Sequence, residues 1–240
     1  MRQSIRKIML YLSLFLFPIT MNFLSPYVSI DGAMAGVLSG SMLVFIALFL
    51  SGLFLGRAWC GWVCPAAGVA ELSLGVNPKP VNRKRLRIVR YSIFAVWFSV
   101  IVLGFVLAGG VKGIDPLRMT ERGISVDEPV KYIIYYFVLL LIFVLDVAIG
   151  RRGACHSICW MSPFLTAGTW LGRKLRLPQL QIKAKTEACI DCKKCTQKCP
   201  MSIDVNAEVK QGAVRSYDCV LCGECVGVCP KGVLSYRKQK

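Results

Sequence analysis

One histidine, His156, stands among 240 residues, and only 13 acidic side chains face 30 basic ones. A b-type haem path across a bilayer normally draws its axial ligands from several histidines. The first scarcity therefore excludes such a path within this chain. The second leaves a formal charge of +17 beside a composition that is 55% hydrophobic, and the two coexist only if charge is segregated along the chain. Three stretches lack charge altogether: Ile8 to Ile30, Gly32 to Gly56 and Tyr91 to Val111. Each is long enough, at 1.5 Å per residue, to cross a hydrocarbon core of about 30 Å. Tyr132 to Ile149 is a fourth and shorter stretch, with Asp146 near its end. The expected architecture is a membrane all-α domain of four transmembrane helices in two hairpins.

The first stretch follows a basic start, and Ala33-Met34-Ala35 resembles a leader cleavage site. The stretch is longer than a leader's apolar region, so it is read as retained. Arg2, Arg6 and Lys7 precede the first helix, and six basic residues from Lys79 to Arg90 join the second to the third. The other connections carry no basic excess: 31–35 holds only Asp31, and 112–131 balances four basic residues against four acidic ones. Positive residues remain on the cytoplasmic side, so a multi-pass cytoplasmic-membrane protein with both termini inside is expected.

Cysteine, by contrast, is abundant at twelve. The tail reads CIDCKKCTQKCP and then CVLCGECVGVCP, the paired ligand run of a bacterial dicluster ferredoxin. In that run three thiolates hold one [4Fe-4S] cube and the fourth reaches the other. Cys189, Cys192, Cys195 and Cys229 are thus expected around one cube, and Cys219, Cys222, Cys225 and Cys199 around the second, in an α+β ferredoxin domain. Structural zinc sites also use cysteines two residues apart but do not call for a doubled, proline-terminated run. A disulfide framework conflicts with the ligand spacing and the cytoplasmic side inferred for the tail.

A second repeat lies between the helices, where GRAWCGWVCP follows the second and GRRGACHSICWMSP the fourth. Each has Gly-Arg and then two cysteines four apart, which on a helix share one face. Together Cys60, Cys64, Cys155 and Cys159 number the four thiolates of a third iron–sulfur cluster. Inert packing and dithiol-disulfide cycling are the competing readings of these pairs.

At these residues the chain resembles the NapH-type ferredoxin-type proteins and the related MauN-type and NosR-type membrane iron–sulfur proteins. The resemblance runs from SPYVSIDGAMAGVLSGS through GRAWCGWVCP to the double tail. It implies electron transfer from membrane quinol toward a partner reductase. CHSICWMSP departs from the cysteine-proline ending, since Pro163 does not follow Cys159 directly.

Asp146 and His156 are candidate proton-handling residues, each with a structural alternative: an ion pair to Arg151 or Arg152 for the first, a packed imidazole for the second. Trp59, Trp62 and Trp160 are expected in an interfacial belt. Ala66 to Leu74 and Phe164 to Leu171 are expected to lie flat at the interface. From Arg173 onward fourteen basic side chains face six acidic ones, a formal +8. Lipid headgroups account for the basic run after the helices without nucleic acid, and two cubes with eight thiolates would leave the tail positive, suited to an acidic docking face on a redox partner. The reading is thus a four-helix membrane domain at 1–172 and a basic linker with a 2[4Fe-4S] ferredoxin domain at 173–240, relaying electrons between quinol and a partner oxidoreductase. A membrane reductase that supplies electrons to a metal or thiol centre during another enzyme's maturation is the competing class, and a non-catalytic anchor a third.

Overall fold

The computed structural model describes residues 2–238, and two of its helices are long and apolar enough to cross a membrane, Arg83–Leu107 and Pro129–Ile149. Asn82 starts the first by accepting from the Arg85 amide at 3.3 Å. Pro129 starts the second, where its missing N–H is not needed, and Gly150, at φ 120°, stops it. Only 17% and 11% of their most apolar stretches are buried. Val96, Leu107, Ile133 and Phe137 all point outward. Both helices therefore present apolar side chains outward along much of their length.

The other two expected spans differ from the sequence reading. Residues 8–30 do not form one helix: Arg2–Phe15 ends before Pro18, a short turn of helix covers Phe17–Thr20, and a new helix runs Pro26–Met34. Proline cannot donate to the preceding turn and holds the residue before it out of the helical region; Ser25, before Pro26, is extended at φ −82°, ψ 130°. The Gly32–Gly56 stretch yields a 16-residue helix, Gly40–Leu55, preceded by strand β1 (Val37–Ser39). β1 pairs in parallel with β2 (Gly113–Asp115), which ties two connections together at the end of the bundle away from the cysteines.

Met161–Lys174, which contains the second of the stretches expected at the interface, packs along Gly40–Leu55, with Phe164 stacked on Phe45 at 5.3 Å. A Cβ at Gly168 would collide with the Phe49 carbonyl oxygen, so the close approach requires glycine there. Pro65–Ser73 is likewise buried, between the Arg2–Phe15 and Pro129–Ile149 helices.

Beyond Lys174 the chain forms an antiparallel sheet in the order β4-β3-β5, from Leu180–Ala184 (β3), Ala213–Val214 (β4) and Leu234–Lys238 (β5). Ile182 pairs with Val214 on one side and Tyr236 on the other. The two cysteine runs are structural copies of one another. Asp191 and Lys193 in the first, and Leu221 and Gly223 in the second, take left-handed φ at matching positions, curling each run around its own centre.

Candidate functional site

All twelve cysteines are free, and they gather into three sets of four, each set lining one cavity. Cys189, Cys192, Cys195 and Cys229 surround the first, and Cys199, Cys219, Cys222 and Cys225 the second. Each tail cavity thus borrows its fourth cysteine from the other run. The third, of about 70 Å³, is lined by Cys60, Cys64, Cys155 and Cys159 among apolar walls. No three Cys, His, Asp or Glu side chains among the described residues converge on a point that would suit one metal ion. A zinc centre would need four donors about 2 Å from a single atom.

The walls of the third cavity test that fit. Arg57 and Arg152 line it with 2% and 0% exposure, and the Nε–H of each is buried without a partner. Two guanidinium charges and two unused donors beside four sulfurs suit a cluster that carries net negative charge and accepts hydrogen bonds at sulfur. Burial, together with the neighbouring Cys60 and Cys159, pushes the Cys64 thiol up to about 12. Dithiol exchange needs an accessible thiolate. Here a metal's charge is what would stabilise the deprotonated form.

The second and third cavities share a wall residue, Val220. Around it the tail is tied to the helices by polar contacts. The Trp62 indole donates to the Leu221 carbonyl at 2.9 Å, and Gln3 donates to that of Cys222 at 3.0 Å. Arg6, fully buried, bonds Glu71 at 2.8 Å and Glu224 at 2.9 Å. Arg152 reaches the same Glu71 at 3.3 Å and the Cys60 carbonyl at 2.9 Å. On the other side of the seam buried Asp218 meets Arg57, Arg87 and Arg90 at 3.4, 3.0 and 3.1 Å. The sequence reading did not single out Asp218, Glu71 or Glu224; their partners lie far along the chain.

Gly61 is the tightest point of this seam, since a Cβ there would fall on the Val220 carbonyl oxygen. Gly61→Val is expected to cost the docked state about 1–3 kcal/mol, as overpacking does. The measurement is protease cleavage within 175–179 on full-length protein, which should be faster than in the parent.

Asp146 is paired with neither Arg151 nor Arg152. Its Oδ1 accepts from the Ala154 amide at 2.8 Å and so anchors the turn that carries Cys155. His156 is buried and lines none of the three cavities, and burial pushes it down to about 3, leaving the ring neutral. Trp160 donates to the Leu24 carbonyl at 2.9 Å. With Trp62 on the seam, two of the three indoles fasten one segment of the chain to another.

The family described as a 4Fe-4S dicluster domain matches residues 188–234, and one described as a 4Fe-4S binding domain matches 38–84. The second segment contains Cys60 and Cys64 and no other cysteine. YccM of Escherichia coli K12, named for electron transport, is 25% identical over 89% of this chain and 60% of its own length. The ferredoxin-type protein MauN of Paracoccus denitrificans, named for methylamine utilization, is 27% identical over 73% of this chain and 60% of its own. The ferredoxin-type protein NapH of Haemophilus influenzae is 26% identical over 75% and 62%. The chain is thus a relative of the NapH and MauN ferredoxin-type proteins, spanning about three fifths of their length, and it carries ferredoxin-type 4Fe-4S domains. No solved structure matches.

Proposed function

We propose that this chain is a membrane-anchored electron relay between quinol and a partner oxidoreductase, with each four-cysteine set holding one iron–sulfur cluster. The gathering of twelve cysteines into three cavities, two of them sharing Val220, carries this reading. Cys189, Cys192, Cys195 and Cys229 would hold one [4Fe-4S] cube, Cys199, Cys219, Cys222 and Cys225 a second, and Cys60, Cys64, Cys155 and Cys159 a third. Bound clusters of this kind supply one-electron storage, at potentials set by charge, hydrogen bonding and exposure.

The protein's own groups then set order and access. The 1–172 part presents its cysteine cavity directly beneath the 173–240 part. Trp62, Arg6 and Asp218 hold the two in register, so the Cys199 set stands next to the membrane set and the Cys189 set is outermost. Cys192 is exposed, with Lys193, Lys194 and Lys231 around the same cavity, an arrangement suited to an acidic docking face on the partner. Arg83–Leu107 and Pro129–Ile149 would cross the cytoplasmic membrane, with both termini and all three cavities inside. The basic stretch 79–90 and the N-terminal helix lie on the side of the tail, as the positive-inside rule asks.

One quinol oxidised to quinone gives up two electrons and two protons; clusters held by the cysteine sets would supply one-electron acceptors for the former, and water would take the latter. In lipid nanodiscs, anaerobic full-length protein is expected to lose visible cluster absorbance on adding decylubiquinol or menadiol, and to regain it on adding an oxidant. Bleaching by dithionite but by neither quinol would overturn the relay.

A further inference from the structure

The two cysteine pairs of the membrane part share more than their spacing. Aligned on their cysteines they read Arg57-Ala58-Trp59-Cys60 and Arg152-Gly153-Ala154-Cys155, each completed by a cysteine four residues on. One arginine thus stands three residues before each pair, and each immediately precedes a five-residue helix, Ala58–Trp62 or Gly153–Ser157. Both line the four-cysteine cavity. We propose that Arg57 and Arg152 donate through Nε–H to the sulfurs of the centre held in this cavity and so set its reduction potential, an inference that rests on the reading of the third set as an iron–sulfur site.

The terminal nitrogens of both side chains are occupied elsewhere. Arg57 donates to the Tyr217 carbonyl and to Asp218, each at 3.4 Å, and Arg152 donates to the Cys60 carbonyl at 2.9 Å and to Glu71 at 3.3 Å. These anchors hold the guanidinium groups and leave the Nε–H of each buried with no acceptor among the described residues. A buried donor left unmet costs free energy. The other side chains in the cavity wall are apolar or, in Trp160, turned to the Leu24 carbonyl, so sulfur is the acceptor that the wall offers.

Charge points the same way. Arg57 acts electrostatically on Cys60, Cys155 and Cys159, and Arg152 on Cys155 and Cys60. A centre closed by four thiolates is anionic and becomes more so on one-electron reduction, so buried cations and charge-assisted hydrogen bonds beside it favour the reduced form. The tail cavities are built differently: no arginine lines either, and the wall around Cys199 has no charged side chain among the described residues. Arg90 also has an unmet Nε–H but lines none of the three cavities. Free donor and cavity coincide only at the repeated position.

The test is pulsed paramagnetic resonance on dithionite-reduced, anaerobically purified full-length protein grown with nitrogen-15 arginine. An arginine nitrogen coupled to a cluster is expected in the parent, and the coupling should vanish when Cys60 and Cys155 are both replaced by serine. Arg57→Lys and Arg152→Lys, which keep the charge without the Nε–H, should each diminish it. Arg57→Gln and Arg152→Gln remove the charge as well and should lower the midpoint of the third centre, so that its oxidised-to-reduced ratio at a fixed poise rises about tenfold, about 59 mV for one electron. Neither glutamine strands a carboxylate, since Asp218 keeps Arg87 and Arg90 and Glu71 keeps Arg6. Iron content equal to the parent's shows that a variant is loaded; if the variants lose iron, the coupling in the labelled parent decides. About twelve irons with no arginine coupling that depends on Cys60 and Cys155 overturns the donors and keeps the third centre. Loaded glutamine variants with the parent's midpoint overturn the control of potential. About eight irons in the parent removes the centre itself and this role with it.

Discussion

Replacing Cys60 and Cys155 together with serine is expected to take the iron of anaerobically purified protein from about twelve atoms per chain to about eight. One cysteine is removed from each pair, so the third cavity keeps two of its four sulfurs and the tail cavities keep all of theirs. Iron and acid-labile sulfide should fall in step, and paramagnetic resonance of the reduced protein should lose one cluster signal of three. Eight irons in both parent and variant would leave the four membrane cysteines as packing. Eight in both with a disulfide that forms and breaks at these positions would make them a dithiol. The size of the effect follows from the site's build: a cube cannot be closed by two thiolates, and no other Cys, His or carboxylate lines the cavity.

The tail was legible because its chemistry is local. Ligand spacing and a terminal proline suffice to pair Cys229 with the first run and Cys199 with the second, and the cavities group them in that way. The membrane set was legible for another reason, the repetition of Gly-Arg and two cysteines after two separate apolar stretches. The helices were read less well. Hydropathy registers the absence of charge and is blind to backbone continuity, so residues 8–30 scored as one span although Pro18 and Pro26 break them. The basic stretch 79–90 reads as a signal of membrane sidedness, and the structure gives it a second use: Arg90 is 2% exposed and joins Arg57 and Arg87 on one carboxylate. That carboxylate lies 128 residues beyond Arg90, a pairing no local pattern announces.

Asp218→Asn is expected to loosen the tail from the helices by about 3–5 kcal/mol, the usual cost of deleting one partner of a buried ion pair. The amide keeps the shape and removes the charge, leaving Arg57 and Arg90, each 2% exposed, facing one another without compensation. Arg87→Ala on the same carboxylate should cost at most about 1 kcal/mol, since that side chain is 49% exposed and its pair is screened by water. The contrast separates a seam held by buried charge from one held by apolar contact alone, under which both variants would resemble the parent in protease cleavage within 175–179. Acidity gives a second axis. Burial alone would raise the Asp218 carboxyl, but Arg57 and Arg90 outweigh it and hold the group well below the usual carboxylate range. A depressed folded-state value means that the stabilisation is complete above the ordinary carboxylate value of about 4 and declines as pH falls below it. The parent should therefore resist cleavage evenly from neutral pH down to about 4 and weaken only on further acidification. The deficit of Asp218→Asn should be constant over the first range and shrink over the second, because a protonated carboxyl and an amide are then electrically alike.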